Sequence, residues 1–335
     1  MPSPGDALAC LQGFVNIPLQ QFIGFLFYMS ILSLMGLGLT LMYQTTKVPN
    51  FAYGSYVGVG MYVAFLGHER ILGIMPPYPL APLAFLLGGI ASLLTYLFVI
   101  KPLASRGASI VQLMIATIAV DLFASTLLYI LTDYYYYVHK IYTVKGFLFR
   151  SNDIVLIPGI QLTAAPIIAV SLLAVLVVAL YIFINKTRIG IAMRASIENP
   201  QLAEILGIPT GRIYLLSWFL AGALGGLAGS LYPMWLYVDP SVPARILITI
   251  FAVSIVGGLS SIYGPFLGAL VVAFAEAILP SQIYGCLYSV GYPEASEILK
   301  YGFVFPMILI VLFIAFAPVG LAPIVSSALT RLQRR

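Results

Sequence analysis

Charge is what this 335-residue chain has least of. Asp, Glu, Lys and Arg together make up 8% of it, against 61% hydrophobic residues, whereas an ordinary soluble domain is roughly 25% charged. So few charges cannot cover a globule with water-compatible surface, which excludes a soluble fold. Cysteine is nearly absent too: Cys10 and Cys286 alone exclude a disulfide framework or a cysteine-rich metal site. The two histidines, His68 and His139, have no Ser, Cys or ligand constellation around them and are expected in solvated loops. No glycine-rich segment ending in Gly-Lys-Ser/Thr occurs, and no His-Glu-x-x-His run, so neither nucleotide nor zinc-dependent hydrolysis is expected of this chain. No enzyme, no cofactor, no metal and no nucleic-acid partner are expected. The opening "MPSPGDALACLQGFVNIPLQ" has no basic start followed by a separate apolar core, so it is not expected to be a removable signal peptide.

What the chain has instead is long apolar runs. A helix needs roughly 17–25 apolar residues to cross about 30 Å of hydrocarbon, and the sequence predicts an all-α polytopic membrane protein. About nine spans are expected, near 22–43, 51–66, 80–100, 110–131, 164–185, 213–235, 246–260, 263–279 and 300–318. The second, seventh and eighth are short, which predicts broken or re-entrant helices there, with the seventh either crossing or re-entering.

Lys and Arg close to the spans set the orientation. On alternate sides, one face collects Lys47, Lys101, Arg106, Lys186, Arg188, Arg194, Arg212, Arg331, Arg334 and Arg335, and the other only Arg70, Lys140, Lys145, Arg150, Arg245 and Lys300. The first face is therefore expected to be cytoplasmic, with the N-terminus outside and the C-terminus inside. This predicts a cytoplasmic loop over 186–212 and an external loop over 132–163. Cys10 and Cys286 then both fall outside, where a disulfide between them is topologically possible. The run Tyr134, Tyr135, Tyr136, Tyr137 in the external loop fits an aromatic belt at the headgroups.

The most polar run, "RASIENPQLAEILGIPTGRI" at 194–213, interrupts the apolar spans with one short helix. Asn199 is a good N-cap, Pro200 suits the first helical position, and Gly207 supplies a left-handed stop. Leu202, Ala203, Ile205 and Leu206 give it an apolar face. Two turns are unstable alone in water, so the helix must lean on something. It either rests on lipid headgroups or fits a groove on a cytoplasmic partner.

Those residues carry a resemblance. An Arg-Ala pair, Asn-Pro, Ala three residues after the Pro, and Gly-Ile fall on Arg194, Ala195, Asn199, Pro200, Ala203, Gly207 and Ile208. The pattern is similar to the coupling segment of permease subunits in branched-chain amino-acid importers of the ATP-binding cassette superfamily. "GLGLTLMYQTTKVPNFAYGSYVGVGMYVA" at 36–64 resembles the junction between the family's first two helices, more in the manner of the first of its two permease types. Gln44 and Tyr53 stand where many relatives have Gly and His. "VSIVGGLSSIYGPFLGALVVAFAEAIL" at 253–279 makes a third match. The resemblance implies an ATPase-coupling set of Arg194, Glu198, Asn199, Pro200, Leu202, Ala203, Leu206, Gly207 and Ile208. It also implies a translocation path near Thr45, Thr46, Asn50, Tyr53, Gly54, Gly257, Gly258 and Glu276. The partners implied are a homologous second permease or a second copy, two cytoplasmic ATPases holding ATP and Mg, an extracytoplasmic solute-binding protein, and membrane lipid.

"YGSYVGVGMYVAF" from Tyr53 and "YGPFLGALVVAFA" from Tyr263 echo one another; the span order makes the two copies parallel if 246–260 crosses and inverted if it re-enters. In "LAGALGGLAGSL", Gly222, Gly226 and Gly229 put small residues at helical spacing, either for static packing or for a sliding interface. Asp121 lies mid-span, where an ionised carboxylate is expensive. It either stays hydrogen-bonded to neighbours such as Thr117 or Ser125, or faces the translocation path and meets a substrate ammonium. Three functions follow: an ATP-driven importer permease for branched-chain or similar small apolar amino acids, the same machine carrying urea or short amides, or a secondary transporter or channel that uses Asp121.

Overall fold

The computed structural model describes residues 17–325 apart from 69, 158–161, 290 and 291, and these are mostly helical. Cys10, Arg331, Arg334 and Arg335 lie outside the described residues. Hydrocarbon offers backbone groups no water, so an apolar run must close its hydrogen bonds within itself, as a helix does. In chain order the helices are α1 (Leu19–Thr46), α2 (Tyr53–Phe65), α3 (Tyr78–Ser105), α4 (Ile110–Tyr137), α5 (Ala164–Lys186), α6 (Arg188–Glu198), α7 (Pro200–Ile205), α8 (Thr210–Met234), α9 (Val242–Gly257), α10 (Gly264–Tyr288) and α11 (Val304–Phe316). Six of them, α1, α3, α4, α5, α8 and α10, are long and apolar enough to cross a membrane.

All nine expected apolar runs are helical, but their lengths differ from expectation. The second and seventh are short as predicted, at 13 and 16 residues; 13 residues rise only roughly 20 Å. The eighth is not short: α10 continues to Tyr288, 25 residues in all. In its last turns Ser281 donates to the Ile278 carbonyl and accepts from Gln21, and Gln282 is buried. The ninth is the short one instead, because the chain from Pro293 to Tyr301 forms a 3-10 helix before α11 begins.

The loops are also shorter than expected. Residues 132–137 are the last turns of α4, so Tyr134 to Tyr137 sit on a helix end rather than in the external loop. A small antiparallel pair, Val155–Ile157 with Leu162–Thr163, lies further along. The expected loop 186–212 is largely helical, as α6 and α7. His68 is half-buried in its loop, where it accepts from the Arg70 amide at 3.2 Å and meets the Thr143 hydroxyl at 3.2 Å.

α1 and α8 form the centre of the bundle, buried along most of their lengths. Their contacts show how the helices run. Tyr53 and Val57 of α2 lie beside Gly225 and Gly229 of α8, so α2 and α8 are parallel. Gln21 meets Ser281 while Gly36 meets Pro265, so α10 is antiparallel to α1. Gly38 against Ala221 and Phe27 against Trp235 make α8 antiparallel to α1 as well. The two echoing segments on α2 and α10 therefore run the same way. The glycine stripe of α8 is closely packed: a Cβ on Gly226 would stand 2.3 Å from the Ala84 carbonyl oxygen of α3. Side-chain-free helices can bring backbones this close. α4 and α5 present long exposed apolar faces, including Phe123 and Val175, to whatever surrounds the bundle.

Candidate functional site

The polar segment between α5 and α8 builds its own support. The Thr187 hydroxyl caps α6 by accepting from the Gly190 amide at 3.0 Å. Met193 of α6 then packs with Leu41 of α1 and Ile213 of α8 in a separate hydrophobic cluster, with Ile208 at its edge. Asn199 caps α7, its Oδ1 accepting from the Leu202 amide at 3.0 Å, and Pro200 takes the first helical position. At the other end Gly207 adopts φ +81°. The Ile208 amide donates to the Ala203 carbonyl and the Gly207 amide to the Glu204 carbonyl, both at 2.9 Å. This is a left-handed stop that satisfies two end carbonyls. The Thr210 hydroxyl donates to Glu204 at 2.5 Å, fastening α7 to the start of α8.

This local build divides the expected apolar face in two. Ala203 is buried against the protein, whereas Leu202, Ile205 and Leu206 point away, Ile205 being 82% and Leu206 70% exposed. Arg194, Glu198, Asn199, Pro200 and Gly207 are exposed and Ile208 is half-buried. Ala203 is therefore part of the seat, and Ile205, absent from the expected coupling set, is the most exposed apolar side chain of the helix. Arg194 donates to Asn185 Oδ1 at 3.2 Å, and Asn185 donates to the Tyr263 hydroxyl at 3.3 Å. That chain of contacts joins α6 to the foot of α10.

The two junctions that interrupt the bundle lie close together. α1 ends with Lys47 in the left-handed region, φ 56°, its amide donating to the Tyr43 carbonyl at 2.7 Å. Asn50, fully buried, then folds the chain back. Its Oδ1 accepts from the Ala52 amide at 2.8 Å and its Nδ2 donates to the Tyr56 hydroxyl at 3.3 Å. α9 ends at Gly258, φ +104°, whose α-carbon faces the Val319 carbonyl oxygen and Gly320 beyond α11. Gln44 bridges the junctions, donating to the Leu259 carbonyl at 3.1 Å. Its departure from the family pattern thus coincides with a direct tie between α1 and the turn after α9.

Asp121 accepts from Ser55 of α2 at 2.5 Å rather than from the expected neighbours on its own helix. Thr117, one turn earlier, instead accepts from the Phe51 amide at 3.1 Å. The two α4 side chains together pin the α1–α2 junction. Thr45 and Thr46 bond to carbonyls of their own helix. Tyr53 is fully buried and donates to the Ala221 carbonyl at 3.1 Å. A Cβ on Gly54 would meet the Pro243 carbonyl oxygen at 2.3 Å, and one on Gly257 the Gly264 carbonyl oxygen at 2.2 Å. Of the expected path residues, only Glu276 lines the cavity of about 750 Å³ that opens between α1, the end of α8, the start of α9 and α10.

The loop at that end is built around Asp153, whose carboxylate accepts from the Tyr78 hydroxyl at 2.6 Å and from the Ile154 and Ala165 amides at 2.9 Å each. Nothing in the sequence around Asp153 marks it for this role. Nearby, burial pushes the Asp239 carboxyl up, but the Ser241 hydroxyl and amide and the Arg245 guanidinium outweigh it and hold the group below the usual carboxylate range. Cys286 of α10 is disulfide-bonded. Among the described residues no group of three His, Cys, Asp or Glu side chains is placed to hold a metal.

A family model described as branched-chain amino acid transport system, permease component, matches residues 21–314. A probable branched-chain amino acid transport permease protein LivH of Methanocaldococcus jannaschii is 39% identical over 313 residues, 92% of this chain and 94% of the relative. BraD, a high-affinity branched-chain amino acid transport system permease protein of Pseudomonas aeruginosa, is 25% identical over 309 residues, 90% of this chain and 95% of its own. The corresponding LivH protein of Escherichia coli is 29% identical over 275 residues, 77% and 87% of the two chains. No solved structure matches.

Proposed function

The chain belongs to the permease family of branched-chain amino acid transport systems, multi-pass proteins of the prokaryotic cell membrane, and from that premise we propose that it is the membrane subunit of an ATP-driven importer for branched-chain or similar small apolar amino acids. Its basic end, with α6 and α7, faces the cytoplasm, and the N-terminus lies outside. Two ATPase subunits bind ATP and Mg, and a solute-binding protein delivers cargo to the opposite face. The exposed apolar faces of α4 and α5 meet lipid and a second permease, either a homologue or another copy.

The observation that carries the coupling role is the presentation of α7. Its capped ends and buried Ala203 hold it in place, while Leu202, Ile205 and Leu206 are left exposed in the most polar run of the chain. An apolar helix face held in water in this way suits a groove on a partner. Force applied there reaches α1 and α8 through Met193, Leu41 and Ile213, and α10 through Arg194, Asn185 and Tyr263. ATP-driven closure of the partners would rock these helices about the junctions at Asn50 and Gly258, switching a two-state bundle between outward and inward access.

The test is uptake of labelled leucine into proteoliposomes holding the permease, the ATPases and the binding protein. Accumulation that requires internal ATP at the basic end supports the reading. Leucine uptake driven by a proton or sodium gradient without the ATPases would overturn it in favour of a secondary transporter.

A further inference from the structure

Glu276 sits on a five-residue π-helical turn, Phe274–Ile278, that interrupts α10. Such turns are common where a helix carries a functional side chain. Here the carboxylate faces the cavity, whose volume of about 750 Å³ lies within the range of small-molecule sites. The Tyr28 and Thr249 hydroxyls hydrogen-bond the carboxyl group, but its Oε2 is buried and has no hydrogen-bond partner among the described residues. A carboxylate oxygen kept from water without a donor is unfavourable, and the half-buried side chain gains a donor by turning that oxygen into the cavity.

The complementary group is on another wall of the same cavity. Arg150 lines it with its guanidinium stacked 3.9 Å from the centre of the Trp235 ring. It takes part in neither ion pair found among the described residues. Arg245 lines the cavity as well but is engaged by Asp239 at 2.8 Å. The loop holds Arg150 in place by backbone contacts: the Phe149 amide donates to the Pro233 carbonyl at 2.7 Å, and Phe147 pairs with Val238. Phe25, Trp235 and Ile246 give the same lining an apolar part, beside the polar Gln21 and Thr249. A single small ligand that meets all of these surfaces carries an ammonium, a carboxylate and an aliphatic body.

We infer that this cavity is a holding site for the zwitterion of an aliphatic α-amino acid, in which Glu276 receives the ammonium and Arg150 the carboxylate. The inference rests on the import reading above and adds the site. It also assigns the ammonium contact to Glu276 in place of Asp121, whose Oδ1 accepts from Ser55.

The experiment measures binding of labelled leucine to the permease–ATPase complex in nanodiscs, with the solute-binding protein left out. Unlabelled leucine competes against 4-methylpentanoate, which lacks the ammonium, and 3-methylbutylamine, which lacks the carboxylate. In the wild type each analogue should compete about tenfold to hundredfold less well than leucine, the value of one charge-assisted hydrogen bond. Glu276→Gln should narrow the gap between leucine and 4-methylpentanoate alone, and Arg150→Gln the gap between leucine and 3-methylbutylamine alone. Absence of leucine binding, equal competition by both analogues, or an equal loss for all three ligands in each variant would overturn the site. If a variant does not assemble, the wild-type series still decides. ATP-driven leucine uptake unaffected by both substitutions rejects the site and leaves the importer standing. Selective leucine binding by a complete wild-type system that never accumulates leucine rejects the importer and leaves the site.

Discussion

The double substitution Ile205→Gln with Leu206→Gln isolates the α7 face from everything else in the molecule. Ile205 is 82% and Leu206 70% exposed, so both are in water until a partner covers them. Fully burying an Ile or Leu side chain is worth about 1.5–3 kcal/mol. Scaled by the exposed fraction, a groove that covers both gains about 2–4.5 kcal/mol, which is about 30-fold to 2,000-fold in Kd. Glutamine keeps the helix propensity of the residues it replaces. Surface substitutions of this kind change stability by about 0.5 kcal/mol or less. The variant should therefore unfold at the wild-type temperature in detergent, bind the ATPase subunit at least about 30-fold more weakly in a tracer titration, and lose ATP-coupled leucine uptake. Ala203→Leu makes the contrast, because its side chain would enter a filled seat and lower both stability and ATPase binding. Wild-type ATPase affinity in the double variant would show that α7 lies on lipid or in solvent and that the coupling argument is wrong.

Two glycines of α8 should respond in opposite directions. Gly226→Ala puts a methyl 2.3 Å from the Ala84 carbonyl oxygen and should destabilise by about 1–3 kcal/mol, whereas Gly211→Ala meets nothing within 4 Å and should be neutral or stabilise by up to about 1 kcal/mol; thermal unfolding compares them. Gln44→Leu leaves the Leu259 carbonyl without its donor and should cost about 1–3 kcal/mol, read by the same measurement. The Asp239 carboxyl titrates below its unfolded value, so its contribution is present above the ordinary carboxylate range and fades as pH falls through the lowered native value. Asp239→Asn should flatten the acid limb of the stability profile, and an unchanged limb would contradict the assigned contacts.

Much of the architecture was legible because it depends on short stretches of chain. A continuous apolar run must become a helix in hydrocarbon wherever it packs, so every expected span is helical. Asn199, Pro200 and Gly207 announce α7 because capping is settled within a few residues. The extent of α10 was hidden: its last turns carry Ser281 and Gln282, and only contacts such as that with Gln21, 260 residues away in the chain, make them compatible with the bundle. α6 was hidden too, because its burial depends on Leu41 and Ile213 of other helices. The apolar residues of α7 at 202, 203, 205 and 206 share one arc of about 160°, so periodicity shows one face and could not say that Ala203 within it packs inward while the others point out.

By itself, then, the sequence determined the membrane environment, the positions of the helices and the two junctions that interrupt them, since partition into hydrocarbon and closure of backbone hydrogen bonds act along the chain. Only the tertiary structure decided that Ser55 holds Asp121, that Ala203 turns inward while Ile205 turns out, and that Glu276 and Arg150 share one cavity. Those outcomes depend on how each helix is rotated against neighbours distant in sequence. Apolar residues on every side leave such rotations open until the helices pack.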